Sequence, residues 1–116
     1  MRNALVITVE GFVHGIDLGE TGDEEYEAIC KAIGGGFLQC VPLSDSDMLL
    51  WCDDEGKLKG MPYNEKATAV WTRYWGQTDV MVGDIVITGG IDWESEISKG
   101  LTPEQVVELE KVVSNV

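Results

Sequence analysis

Apolar positions along this chain follow two rhythms, one of two residues and one of three to four, and the switches between them predict where strands give way to helices. Ala4-Leu5-Val6-Ile7-Thr8-Val9 is a β-branched run and predicts a first strand. Glu10-Gly11 supplies a turn, after which Phe12, His14, Ile16 and Leu18 share one face of a second strand. Thr21 then offers an N-cap, with Glu24 as the reciprocal member of a capping box. Tyr26, Ile29, Cys30 and Ile33 recur at helical spacing, so a helix running to about Ile33 is predicted. Gly34-Gly35-Gly36 follows as a left-handed C-cap, not a phosphate cradle, because a cradle needs the free N–H groups that precede a helix. Phe37 to Leu43 reads as the next strand, and Ser44-Asp45-Ser46-Asp47 turns the chain back into Met48-Leu49-Leu50-Trp51-Cys52.

The densest signals lie between Trp51 and Trp71, in WCDDEGKLKGMPYNEKATAVW. Asp53-Asp54-Glu55-Gly56 sits between extended-type runs and predicts a tight hairpin, with Lys57 to Met61 as its returning strand and Pro62 as the stop. Asn64 is an N-cap; Ala67, Val70, Trp71 and Tyr74 trace the stripe of a core-facing helix that Gly76-Gln77 ends. Asp79 to Thr88 is apolar on both faces except at Gly83-Asp84, which predicts a bulge or corner in a strand, with Asp84 capping a turn. Gly89 to Gly100 is a polar loop in which Trp93 is flanked by Asp92, Glu94 and Glu96. Thr102, Pro103 and Gln105 open a last helix as N-cap, first-position proline and capping-box partner. Leu101 can staple onto Val106, and Val106, Leu109, Val113 and Val116 form the stripe. The sum is a single α+β domain over residues 1–116, in the order β-β-α-β-β-β-α-β-β-α, with a curved, mostly antiparallel sheet and two to three packed helices. An apolar strand left at an edge can pair with a copy of itself, so homo-oligomerisation stays open.

The segments CDDEGKLKGMPYNEKAT and DVMVGDIVITGG, with weaker support from AICKAIGGGFLQCVPL, resemble the domain-of-unknown-function family three-eight-four-six, which occurs mostly in bacteriophages and in actinobacterial and other bacterial genomes. The likeness spans about Ala4 to Gly90. It implies a small phage-type accessory protein in the host bacterial cytoplasm, and it brings no established activity and no catalytic residues to carry over.

Composition sharpens this in one respect, its charge. Twenty-one acids against eight bases give −13, and twelve acids but one base lie between Asn3 and Gly56. Such a chain repels phosphates, which argues against direct nucleic-acid binding and against anionic membranes. No apolar run approaches the ~18 residues of a membrane span, and the N-terminal MRNALVITVEG, broken by Glu10, is too short for a secretory signal. A cytoplasmic location is expected. Cys30, Cys40 and Cys52 are widely spaced and form no CxxC pair, and the single His14 cannot complete an ordinary zinc site, so buried reduced thiols and no metal are expected. No Walker loop, HExxH, GxSxG or dinucleotide fingerprint occurs, and His14 has no partner at triad spacing. The chain therefore reads as a non-enzyme with no cofactor.

Two functional readings follow. In the first, Asp17, Glu20, Asp23, Glu24, Glu27, Asp45, Asp47, Asp53, Asp54 and Glu55 form an acidic surface that docks a host protein with a basic face, in the sharper version as a DNA mimic serving host takeover or anti-defence. The aromatic side chains Trp71, Tyr74, Trp75 and Trp93 are candidate anchors for a partner. In the second, Trp71, Tyr74 and Trp75 line a pocket that sequesters a nucleotide, with Arg73 or Lys66 meeting its charge.

Overall fold

The computed structural model describes residues 2–35 and 37–116; Met1 and Gly36, the last of the three expected cap glycines, lie outside the described residues. Three runs, LVI at 5–7, LLW at 49–51 and IVI at 85–87, are apolar at consecutive positions rather than alternate ones. Strands of that kind are covered on both faces. The described chain runs β1 (Asn3–Ile7), β2 (Val13–Asp17), α1 (Gly22–Ile33), β3 (Leu38–Pro42), β4 (Met48–Asp53), α2 (Glu65–Trp75), β5 (Ile85–Gly89), β6 (Ile91–Asp92), β7 (Ile97–Ser98) and α3 (Pro103–Ser114). Five strands form one sheet in the order β2-β1-β5-β4-β3, antiparallel at every pairing, and β6 and β7 make a small separate hairpin. The α+β class is as expected from sequence.

Strand parity divides the core. Leu5, Ile7, Met48, Leu50, Ile85 and Ile87 face α2 and α3, where Ala67, Val70, Leu109 and Val113 meet them. Ala4, Val6 and Val86 face the other way, onto Ile29 and Ile33 of α1. Each fully buried aliphatic side chain contributes roughly 1.5–3 kcal/mol, and β5, buried along its whole length, sits where both layers meet.

Local chemistry sets the helix ends. Thr21, Asn64 and Thr102 each accept the predicted N-cap hydrogen bond, and Thr102 with Gln105 closes a full capping box. In α1 the reciprocal bond shifts by one residue, because Glu24 accepts from the backbone N–H of Glu20. Gly34 caps the C-terminus of α1 at φ 99°, a left-handed conformation that a side chain would strain.

Several expectations are corrected. Lys57 to Met61 is not a strand. The backbone bonds Lys59 N to Glu55 O, Gly60 N to Lys57 O and Met61 N to Gly56 O wind it into successive turns. The expected hairpin therefore becomes a short coiled loop, pinned by Lys59 on Asp53. The strand expected over Asp79 to Thr88 is confined to Ile85–Gly89, with an isolated bridge from Val82 to Tyr63 before it. Gly83 turns the chain there at φ 74°, and Asp84 caps the β1–β2 turn by accepting from Val9 N at 2.9 Å. The polar loop Gly89 to Gly100 contains the β6–β7 hairpin, which moves one strand from before α2 to after it. In α1 the buried stripe is Glu25, Ile29 and Ile33; Tyr26 is exposed and Cys30 half-buried. Cys40 is exposed and Cys52 half-buried, so the thiols are reduced but not fully interior. Val116 is exposed, and the α3 stripe ends at Val113.

Candidate functional site

Glu25 occupies an inward position of α1 where the pattern of neighbours calls for an apolar residue. Its carboxylate is paired with the Arg2 guanidinium at 2.7 Å and accepts from the backbone N–H and the hydroxyl of Ser98 at 3.1 and 3.2 Å. Arg2 also donates to the carbonyls of Ser98, Gly19 and Leu18 at 2.8, 2.8 and 3.1 Å. This network ties four pieces of chain together: the segment before β1, the β2–α1 loop, α1, and strand β7. Gly19 is required in the loop, at φ 77°, where a Cβ would lie 2.6 Å from that of Glu24.

The two segments so joined wall a cleft of about 460 Å³. Asp17 lines it from the end of β2 and Glu20 from the β2–α1 loop, and Asp92, Ser95 and Ile97 line it from the β6–β7 hairpin. Asp17 accepts from Gly19 N and Asp92 from Glu94 N, both at 3.0 Å, so both carboxylates are held in place by their own turns. Arg2 and Lys99 also line the cleft, and both are already engaged, Arg2 with Glu25 and Lys99 with Asp47. Among the described residues Asp17, Glu20 and Asp92 have no cationic partner within salt-bridge distance. At the hairpin turn Trp93 stands 83% exposed between Asp92 and Glu94.

The ten carboxylates singled out from sequence do not form one row. Asp17, Glu20, Asp23, Glu24, Asp45 and Asp47 cluster at the end of the sheet where β1 begins, Asp47 being paired with Lys99. Asp53 stands at the opposite end of β4, about 17 Å away at ~3.3 Å per residue, and Asp54 and Glu55 follow just beyond it. There Asp53 is buried against Lys59, whose ammonium holds its carboxyl below the usual aspartate range. Glu27 is exposed on α1.

Nor do the four aromatics form one patch. Trp71 and Tyr74 pack on the core side of α2, and the Trp71 indole donates to Thr78 at 2.9 Å. Trp75, 6.1 Å from Trp71 between ring centroids, donates to the carbonyl of Pro42 at 3.0 Å. Trp93 belongs to the hairpin beside α1, across the sheet from α2. Arg73 is paired with Glu108 and stacked on Tyr74, and Lys66 donates to Gly11 O. The large groove between α2 and α3 is lined by Tyr63, Thr68, Arg73, Val80 and Val112, not by Trp71, Tyr74 or Trp75. His14 is exposed at a smaller groove beside α1, near Thr8, Lys31 and Asp84. Among the described residues no group of His, Cys, Asp and Glu has the arrangement to hold a metal ion.

Reading the sequence missed Arg2, Glu25 and Ser98, and it left Asp92 as mere neighbour to Trp93. One signal was available: Glu25 sits four residues before Ile29 and eight before Ile33, on the inward face, where only a paired charge is tolerated.

The fold and the cleft define an α/β/α sandwich built on an antiparallel five-stranded sheet, with an acid-walled cleft at one end. The chain belongs to the family described as a domain of unknown function, DUF3846, whose model matches residues 1–114. No curated protein and no solved structure matches it. Among the described residues no helix is long and apolar enough to cross a membrane.

Proposed function

We propose that this chain is a non-catalytic docking domain that binds a protein partner through a basic segment, using the cleft walled by Asp17, Glu20 and Asp92 with Trp93 at its margin. The observation that carries this is the juxtaposition of uncompensated carboxylates and an exposed indole on a hairpin held by the Arg2–Glu25–Ser98 network. An indole face attracts a lysine or arginine head, and the flanking carboxylates add long-range attraction. A phage-type accessory role on a host protein, as the family resemblance implies, is the setting we propose for it. The DNA-mimic version is not carried: mimicry needs an elongated row of charge, whereas this body measures 33 × 30 × 22 Å and its acids divide between two ends. The nucleotide reading has no observation in its favour, since Trp71 and Trp75 spend their indole N–H groups internally.

The test is capture of partners from host lysate on the whole chain at low and high salt. Trp93→Ala is expected to weaken the captured complex at least tenfold, the scale of an interface tryptophan. Neutralising Asp17, Glu20 and Asp92 to their amides is expected to slow association and flatten its salt dependence. Capture indifferent to all four substitutions rules the cleft out.

A further inference from the structure

The two edges of the sheet are finished differently. In the β3–β4 ladder, Phe37 O accepts from Asp54 N and Leu43 N donates to Met48 O, so odd-numbered β3 positions bond β4. Bonded and non-bonded pairs alternate in an antiparallel ladder, which leaves Leu38, Cys40 and Pro42 aiming their backbone outward. Pro42 has no N–H to offer, and its outward carbonyl is taken by the Trp75 indole at 3.0 Å. That edge is closed at one end.

The β2 edge has no such guard. Thr8 N donates to Phe12 O and Leu18 N to Arg2 O, so even-numbered β2 positions bond β1. Val13, Gly15 and Asp17 therefore aim their N–H and C=O groups away from the sheet. None of the hydrogen bonds among the described residues uses those groups, and no proline interrupts the strand. Such a ladder is a ready template for one more strand.

We infer that the outer edge of β2 accepts an extended, basic segment of a partner protein as a sixth strand, its cationic end lying beside Asp17 and running on into the acid-walled cleft. This rests on the docking reading above and specifies its mode. Charge selects the occupant. β2 ends at Asp17, which is itself a wall of the cleft, and a second copy would bring together two bodies of net charge −13. Strand addition supplies backbone bonds independent of sequence, while alternate side chains supply choice. On the α1 side of β2 a groove of about 510 Å³ has Val6, Ile16, Ala28 and Ala32 in its lining, so the apolar residues of an alternating apolar–basic segment have a place to go.

An alternating Val-Lys octapeptide, titrated into the whole chain while backbone amide exchange is followed by NMR, tests this. The peptide is expected to slow exchange at Val13, Gly15 and Asp17. Gly15→Pro removes one outward N–H and no bond to β1, and is expected to cut affinity at least tenfold with the amide spectrum otherwise retained. Gly15→Ala keeps the N–H, and its Cβ would meet only Ala4 O, at 3.8 Å; it is expected to bind like the parent. Peptide binding that ignores Gly15→Pro and leaves the three amides unprotected overturns strand addition while sparing the cleft. Protection that survives in Glu20→Gln/Asp92→Asn with unchanged affinity and salt dependence overturns the choice of a basic occupant and the docking reading with it. Protection that rises with protein concentration in the absence of peptide makes the occupant a second copy and also overturns the proposal, as does failure of the peptide to bind.

Discussion

Asn64 shows how much one side chain can join. Its carboxamide oxygen accepts from Ala67 N as the cap of α2, and its NH₂ donates to Ile7 O at 3.0 Å and Gly83 O at 2.9 Å, all of it fully buried. Asn64→Ala is expected to cost about 3 kcal/mol or more, combining a lost cap with two stranded carbonyls; urea unfolding measures it. Asn64→Asp keeps the cap acceptor but turns a carboxylate toward two carbonyl oxygens, so it should recover little. Recovery of most of the loss would mean the cap alone matters. The cap was legible in the sequence because its partner is three residues away. The other partners lie 57 and 19 residues away, and no local rule reaches them. The thiols offer a second check. Burial, with Asp54 and Asp53 beside it, pushes the half-buried Cys52 thiol up to about 11. At pH 8 Cys52 is expected to alkylate on the order of tenfold slower than a free thiol, scarcity of thiolate being partly offset by its higher nucleophilicity. Mass spectrometry with site assignment reads this out, and the rate should climb as pH approaches 11.

At the scale of elements, the helices were legible and the strands only partly so. Caps at Thr21, Asn64 and Thr102 and stripes at helical spacing depend on contacts within four residues, which any sequence displays. Lys57 to Met61 looked extended because acidic residues and Gly56 preceded it. What decides a strand, however, is a neighbour to pair with, and no described strand is positioned to take it. The β6–β7 hairpin was hidden for the converse reason: two residues a side give no periodicity, and docking onto Glu25 through Ser98 organises it. Glu25→Ala should therefore do more than remove a surface charge. It strands a largely buried guanidinium and releases the hairpin, with an expected loss of about 3 kcal/mol, the low end for breaking a buried pair because Arg2 keeps its carbonyl acceptors. Replacing both partners, Arg2→Met with Glu25→Met, should recover part of it in thermal unfolding. A double variant no better than Glu25→Ala would show that the hydrogen bonds to Ser98, rather than the unpaired charge, set the cost.

For the molecule as a whole, charge dominates the response to solvent. Among the described residues five carboxylates of the twenty-one are paired with bases, and the rest repel one another with little compensation. Added salt at neutral pH is expected to raise the unfolding temperature by screening that repulsion. The pH dependence has an acid limb set by two ion pairs. Lys59 and Lys57 depress the pKa values of Asp53 and Asp79, so the stability these pairs contribute is present above the ordinary aspartate value of about 4 and is lost as pH falls through the lower folded values. Stability is therefore expected to hold down to about pH 4 and to fall below it as these two pairs are lost. Asp53→Asn should flatten the acid limb. A steady decline from pH 7 to 4 would contradict this expectation.

By itself the sequence determined the α+β class, the three helices and their ends, the apolar runs that end up covered on both faces, and the net negative charge, because propensity, capping and periodicity act over a few residues. Only the tertiary structure decided which carboxylates face one another, which are spent on ion pairs, and which backbone groups at a sheet edge stay free. Those outcomes depend on contacts such as Arg2 with Ser98, 96 residues apart, and Glu25 with Ser98, 73 apart. Spacing along the chain carries no record of such distances, since they are set by how the sheet brings its ends together.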